Sequence, residues 1–295
     1  MKHRLFLVSV ILTALSALLA GCSAPSVYSG VGLSYTVRAQ NSEIWLWKQD
    51  TDKLFNLTNK TGDDFWQTWS PDGKYMAFAS DRSGELEIWI LNLDKSETFN
   101  FSLSSASDDG WPAWSPDGET IAYSSDRDGT YDIWLQKVNG SGTPINITKG
   151  RGDDGMPAWS PDSKKLAFVS NRTGNNEIFI IGADGLLPKQ ITDNEAEDLA
   201  PAWSPDGKKL AFVTKRDQNN EIYIYDLDTE QITNVTNNLG NDETPAWSAD
   251  GSTIAFVSDR ADNHWDLYTI NPDGSNIKRL TNDDLQEWKP AWKPR

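Results

Sequence analysis

One five-residue phrase, Trp-Ser-Pro-Asp-Gly, returns along this chain at a nearly fixed interval. It stands at residues 69–73, 114–118 and 203–207, ends in Ser163 at 159–163, and carries Ala249 in place of proline at 247–251. A truncated last copy is Trp292-Lys293-Pro294. Successive core tryptophans lie 45, 45, 44, 44 and 45 residues apart. A unit of that length is one four-stranded blade of a propeller. Proline presets φ and glycine accepts positive φ, so the phrase itself is a tight turn.

The remainder of each unit reads as strands. Lys209-Leu210-Ala211-Phe212-Val213 alternates apolar and polar positions as a half-buried strand does. A polar loop such as Asp81-Arg82-Ser83-Gly84 follows, and then Glu-Ile-Trp/Tyr strands such as 87–91 and 221–225. No helical period appears beyond the first residues. The N-terminal stretch 34–58 supplies the second, third and fourth strands of a unit, and 287–295 supplies only a first. The predicted fold is all-β: a six-bladed β-propeller of four-stranded blades. Its ring closes when the C-terminal first strand pairs with the three N-terminal strands, which leaves no open seam. One domain, 33–295, holds all of it.

The Pro-Ala-Trp-Ser-Pro-Asp-Gly cores, the Ser-Asp-Arg segments at 80–82, 125–127 and 258–260, and the Glu-Ile-Tyr/Trp strands resemble the WD-like propeller repeat of the TolB family. The resemblance implies a propeller on which protein partners dock. The namesake of that family carries a small α/β domain before the propeller. The sequence here holds no counterpart, so the expectation is a TolB-like propeller. A shared fold serves many functions, and function has to be argued from the site.

The first residues read as a targeting segment. Lys2, His3 and Arg4 precede an uncharged apolar run over 5–19, too short to span a bilayer. It ends in Leu19-Ala20-Gly21-Cys22, which resembles the lipobox of bacterial lipoproteins. That resemblance implies a signal peptide at 1–21, lipidation at Cys22, and a lipidated tether over 22–32. Cys22 is the only cysteine, so no internal disulfide can form. The implied location is exported and membrane-anchored: the outer membrane or periplasmic face in a Gram-negative cell, for which Ser23 after the cysteine speaks, and otherwise the cell surface. Beyond residue 21 the chain holds 25 basic against 43 acidic residues, a formal charge of −18. Such a surface repels nucleic acid and anionic lipid and favours cationic partners.

Aligning the units exposes two rings of charge. Five residues before each core tryptophan stands an acid: Asp64, Asp109, Asp154, Asp198, Asp242 and Glu287. Thirteen residues after five of the tryptophans stands an arginine: Arg82, Arg127, Arg172, Arg216 and Arg260. Arg38, six residues before Ile44 as Arg82 is before Ile88, completes that ring. Both rings fall at one mouth of the propeller and are expected to pair as architecture. The preceding acids Asp63, Asp108 and Asp153 are the candidates for free charge. Function is expected where sixfold regularity breaks, at Trp66, Trp111, Met156 and Trp288, a patch suited to a protein hot spot or to sugar stacking.

Catalytic motifs are missing. The chain after residue 21 has one histidine, His264, so neither a His/Cys metal cluster nor a triad independent of that residue can be built. No Gly-x-Ser-x-Gly elbow or glycine-rich phosphate loop occurs. An acid repeated in every unit suits structure better than glycosidase chemistry, which needs one unique pair. The expectation is a monomeric, non-catalytic platform without cofactor or dedicated metal site. Its partners would be the membrane, through the lipid on Cys22, and another envelope protein. A glycan- or Ca²⁺-binding propeller and an accessory to a separately encoded hydrolase are the alternatives.

Overall fold

The computed structural model describes residues 31–104, 106–150, 152–261 and 263–294. The signal segment, Cys22 and nearly all of the tether lie outside the described residues. Strands β1 (Gly32–Arg38), β2 (Ser42–Lys48) and β3 (Lys53–Asn56) open the chain. Blade 2 is β4 (Asp64–Trp69), β5 (Tyr75–Ser80), β6 (Glu87–Asn92) and β7 (Glu97–Asn100). Blade 3 is β8 (Asp109–Trp114), β9 (Thr120–Ser125), β10 (Asp132–Lys137) and β11 (Ile145–Asn146). Blade 4 is β12 (Asp154–Trp159), β13 (Lys165–Ser170), β14 (Glu177–Gly182) and β15 (Lys189–Gln190). Blade 5 is β16 (Asp198–Trp203), β17 (Lys209–Thr214), β18 (Glu221–Asp226) and β19 (Ile232–Asn234). Blade 6 is β20 (Asp242–Trp247), β21 (Ile254–Ser258), β22 (Asp266–Ile270) and β23 (Lys278–Arg279). The last strand, β24 (Gln286–Trp292), pairs antiparallel with β1 and completes blade 1 in the order β24-β1-β2-β3.

The first strands of successive blades, β4, β8, β12, β16, β20 and β24, touch in a closed cycle and line the axis. Each blade buries one face on the next. Ala77, Ala79, Ile88 and Ile90 of blade 2 pack with Ile121 and Tyr123 of blade 3, and the pattern repeats around the ring. Phe78, Tyr123, Phe168, Phe212 and Phe256, in the middle of five second strands, are fully buried. A buried ring of this size contributes about 2–3 kcal/mol.

The repeated phrase is held by its own hydrogen bonds. In each of five turns the serine Oγ donates to the aspartate Oδ1 at 2.6–2.7 Å. It also accepts the N–H five residues on at 2.9–3.0 Å. The tryptophans are rivets between blades. Trp159, Trp203, Trp247 and Trp292 donate their indole N–H to the carbonyls of Ala113, Ala158, Ala202 and Ala246 in the preceding blade, at 3.0–3.2 Å. Trp69 donates to Ser34 Oγ instead, and Trp114 to Gly118 of its own turn.

All six first strands carry a β-bulge at the same place. The residue there lies in left-handed backbone: Trp66, Trp111, Met156, Ala200, Thr244 and Lys289, with φ between 46° and 54°. The next position is proline in five blades, consistent with the N–H that a bulge leaves unpaired. Blade 2 has Gln67 there. Its amide donates to Lys289 O at 2.7 Å and its Oε1 accepts from Thr36 Oγ1 at 3.1 Å, tying blade 2 to blade 1.

Candidate functional site

In five blades the acid and arginine pair within the blade. Arg82, Arg127, Arg172, Arg216 and Arg260 reach Asp64, Asp109, Asp154, Asp198 and Asp242 at 2.6–3.2 Å. The arginine Nε donates to the hydroxyl of Ser80, Ser125, Ser170, Thr214 or Ser258, two residues back, at 2.7–3.2 Å. Each guanidinium also lies against two aromatic rings of its own blade, 4.7–5.6 Å from their centroids. For Arg82 these are Phe78 and Trp89. The aspartates are wholly buried. Burial pushes the carboxyls of Asp64, Asp109 and Asp154 up, and the serine and arginine beside them pull the other way.

Blade 1 breaks this arrangement and corrects the sixth member of the arginine ring. Arg38 is exposed and forms no ion pair with Glu287. Counting back from Ile44 misses that the β1–β2 hairpin is one residue shorter than those of blades 2 to 5. Strand register gives the true equivalence: Val37 faces Glu287 as Ser80 faces Asp64. Ala39 therefore stands where Arg82 does, and Val37 where its helper serine does. The carboxyl remains. Glu287 is 1% exposed and accepts from Thr281 Oγ1 at 3.1 Å. Burial, with the carboxylates of Asp283 and Asp266 nearby, pushes it up to about 9. The rings remain too. Tyr35 and Trp45 are paired across β1 and β2 as Phe78 and Trp89 are across β5 and β6.

Asp63, Asp108 and Asp153 have no cation in the ion pairs of the described residues, and each also holds the backbone of a neighbouring blade. One oxygen of each accepts a backbone N–H from the blade before it: Ser42, Leu86 and Tyr131. Asn241 and Gln286 do the same for Asn220 and Trp265. These side chains stitch neighbouring blades together, which is why amides serve equally well there.

The irregular aromatic residues divide into separate groups. Trp66 and Trp111 stack at 4.4 Å, and Phe65 lies 5.5 Å from Trp66. The Trp66 ring covers Gly110, where an added Cβ would meet it at 2.9 Å. Met156 packs into the blade 4–5 core with Leu199. Trp288 meets Trp265 of blade 6 at 4.8 Å. Lys289, three residues before Trp292, holds the same bulge position as Trp66, and burial lowers its ammonium to about 8. Among the described residues no group of three or more His, Cys, Asp or Glu is placed to hold a metal ion.

A six-bladed ring with five built-in acid–arginine pairs and one departing blade defines a rigid propeller whose mouth is asymmetric. The chain belongs to the TolB β-propeller domain family, whose description matches residues 25–151, 112–199 and 189–295. TolB from Acinetobacter baumannii is similar at 23% identity and a TM-score of 0.78, covering 97% of this chain and 70% of that one. A putative TolB from Agrobacterium tumefaciens is similar at 24% identity and 0.72, covering 86% and 90%. An oligogalacturonate lyase from Vibrio parahaemolyticus is similar at 16% identity and 0.62, covering 89% and 79%. At these identities the likeness is one of fold. A comparison with curated proteins gave no match.

Proposed function

We propose that this propeller is a non-catalytic protein-binding platform, exported and held to the cell envelope by lipid on Cys22. The observation that carries the reading is the asymmetry of the mouth. Five blades satisfy their buried acids internally, while blade 1 leaves the buried Glu287 without a cation and blades 2 and 3 carry the stacked Trp66–Trp111 pair. Membership of the TolB propeller family supports a protein partner. The acidic surface favours a basic one, with association weakened by salt.

Affinity capture from solubilised envelope tests the platform. The wild type is expected to enrich a partner that W66A/W111A loses while retaining a cooperative melt. Equal recovery by both sinks the site, and recovery of nothing sinks the platform. Incorporation of labelled palmitate into the wild type and not into Cys22→Ser tests the anchor. A second reading, a carbohydrate-binding propeller, draws on the half-buried Trp66–Trp111 pair as a stacking partner for a sugar. Binding on a glycan array that disappears in W66A would select it.

A further inference from the structure

The five ordinary blades are five worked copies of one receptor. In each, a guanidinium sits on a buried carboxylate between two aromatic rings, with a side-chain hydroxyl on Nε. Blade 1 keeps the carboxylate and both rings and has lost the guanidinium and the hydroxyl together. A deleted arginine alone would leave a polar serine behind; here Val37 replaces that serine as Ala39 replaces the arginine. The rebuilt position is shorter by one residue of hairpin and ends in a small side chain. Arg38, Ala39 and Gln40 above it are exposed, as is Asp283, whose charge acts on Glu287. Glu287 is thus a buried acid with no cation of its own, at the end of the fold where the arginines of the other blades reach the surface with side chains 8–25% exposed.

We infer that blade 1 is a receptor for a guanidinium supplied from outside the chain: Glu287 accepts its N–H groups while the Tyr35 and Trp45 rings flank it, and the donor is an arginine in a basic segment of the bound partner. The chemistry is that of the internal copies. A planar, delocalised cation fits a carboxylate and an aromatic face at once, which a lysine ammonium does less well. Asp283 adds negative charge beside Glu287. As a partner contact this rests on the protein-binding reading above, and the experiment separates the two.

The probe is N-acetyl-arginine amide, titrated calorimetrically at low salt into the full chain in detergent, with N-acetyl-lysine amide as comparison. The wild type is expected to saturate with the arginine probe and to release protons on binding, because the guanidinium makes Glu287 ionise. Glu287→Gln removes the acceptor, and V37S/A39R supplies an internal arginine in the pattern of the other blades. Each is expected to weaken binding at least about tenfold, the scale of one charge-assisted contact. Should Glu287→Gln fold poorly, V37S/A39R decides, since it restores a composition the chain already folds five times. Arg38→Ala is expected to bind as the wild type does. Equal affinity in the wild type and V37S/A39R overturns the inference. So does a wild type that shows no saturation, or one that binds only once Arg38 is removed. A probe that binds while capture yields no partner leaves the receptor standing and removes the platform.

Discussion

Glu287 differs from its five counterparts in having no cation, and that has a measurable sign. Its ordinary value is 4.5 and its folded value about 9. A carboxyl raised by folding contributes stability below pH 4.5 that is lost as pH climbs towards 9. Glu287→Gln does not titrate, so it should gain on the wild type across that window, by at most about 1.4 kcal/mol per pH unit. Urea melts of both proteins from pH 5 to 9 check this; a constant gap would mean that Glu287 is already ionised. The ordinary pairs predict the opposite kind of cost. Asp154→Ala strands Arg172 in a site where its side chain is 11% exposed, and should cost about 3–5 kcal/mol. Asp154→Ala/Arg172→Ala should recover part of it, as a double-mutant cycle on melting would reveal. Residues such as Asp154 were legible in sequence because they recur at fixed offsets. Glu287's isolation was not, because a one-residue hairpin deletion shifts the count and puts Arg38 in a place that belongs to Ala39.

The bulge is the element that sequence alone did not give. Five prolines after the bulged residue hint at it, but Trp66, Thr244 and Lys289 share no chemistry that announces left-handed backbone. What they share is an offset of three residues before the core tryptophan, and the bulge at that offset emerges only when the first strand is paired with the second. Thr244 is the costliest occupant. It is β-branched at φ 53°, and its hydroxyl is buried without a partner. Left-handed backbone costs a non-glycine residue about 1–2 kcal/mol, against about 0.5–1 kcal/mol for glycine's extra freedom when unfolded. Removing the unsatisfied hydroxyl adds to the balance. Thr244→Gly is expected to raise stability by about 1 kcal/mol, read from denaturant midpoints at unchanged slope. A loss would assign the Thr244 side chain a packing role that outweighs its strain.

At the scale of the molecule, the repeat made blade number and ring closure readable from spacing, because a ring of like units leaves few alternatives. Closure rests on β24. Ending the chain before Gln286 would remove its pairing with β1 and the Trp292 rivet to Ala246 together. The truncated chain should lose cooperative unfolding and associate through the bared β1 edge, as size-exclusion chromatography and thermal melts would record. The same closing sheet also sets a direction. Lys293 N donates to Gly32 O, so the chain enters β1 at the end where the Trp-Ser-Pro-Asp-Gly turns lie and runs towards the acid–arginine end. A chain held by Cys22 as proposed hangs from its turn face. The proposed tether and the mouth with Glu287 then sit at opposite ends of the propeller, so lipid attachment and partner docking would not compete for the same face.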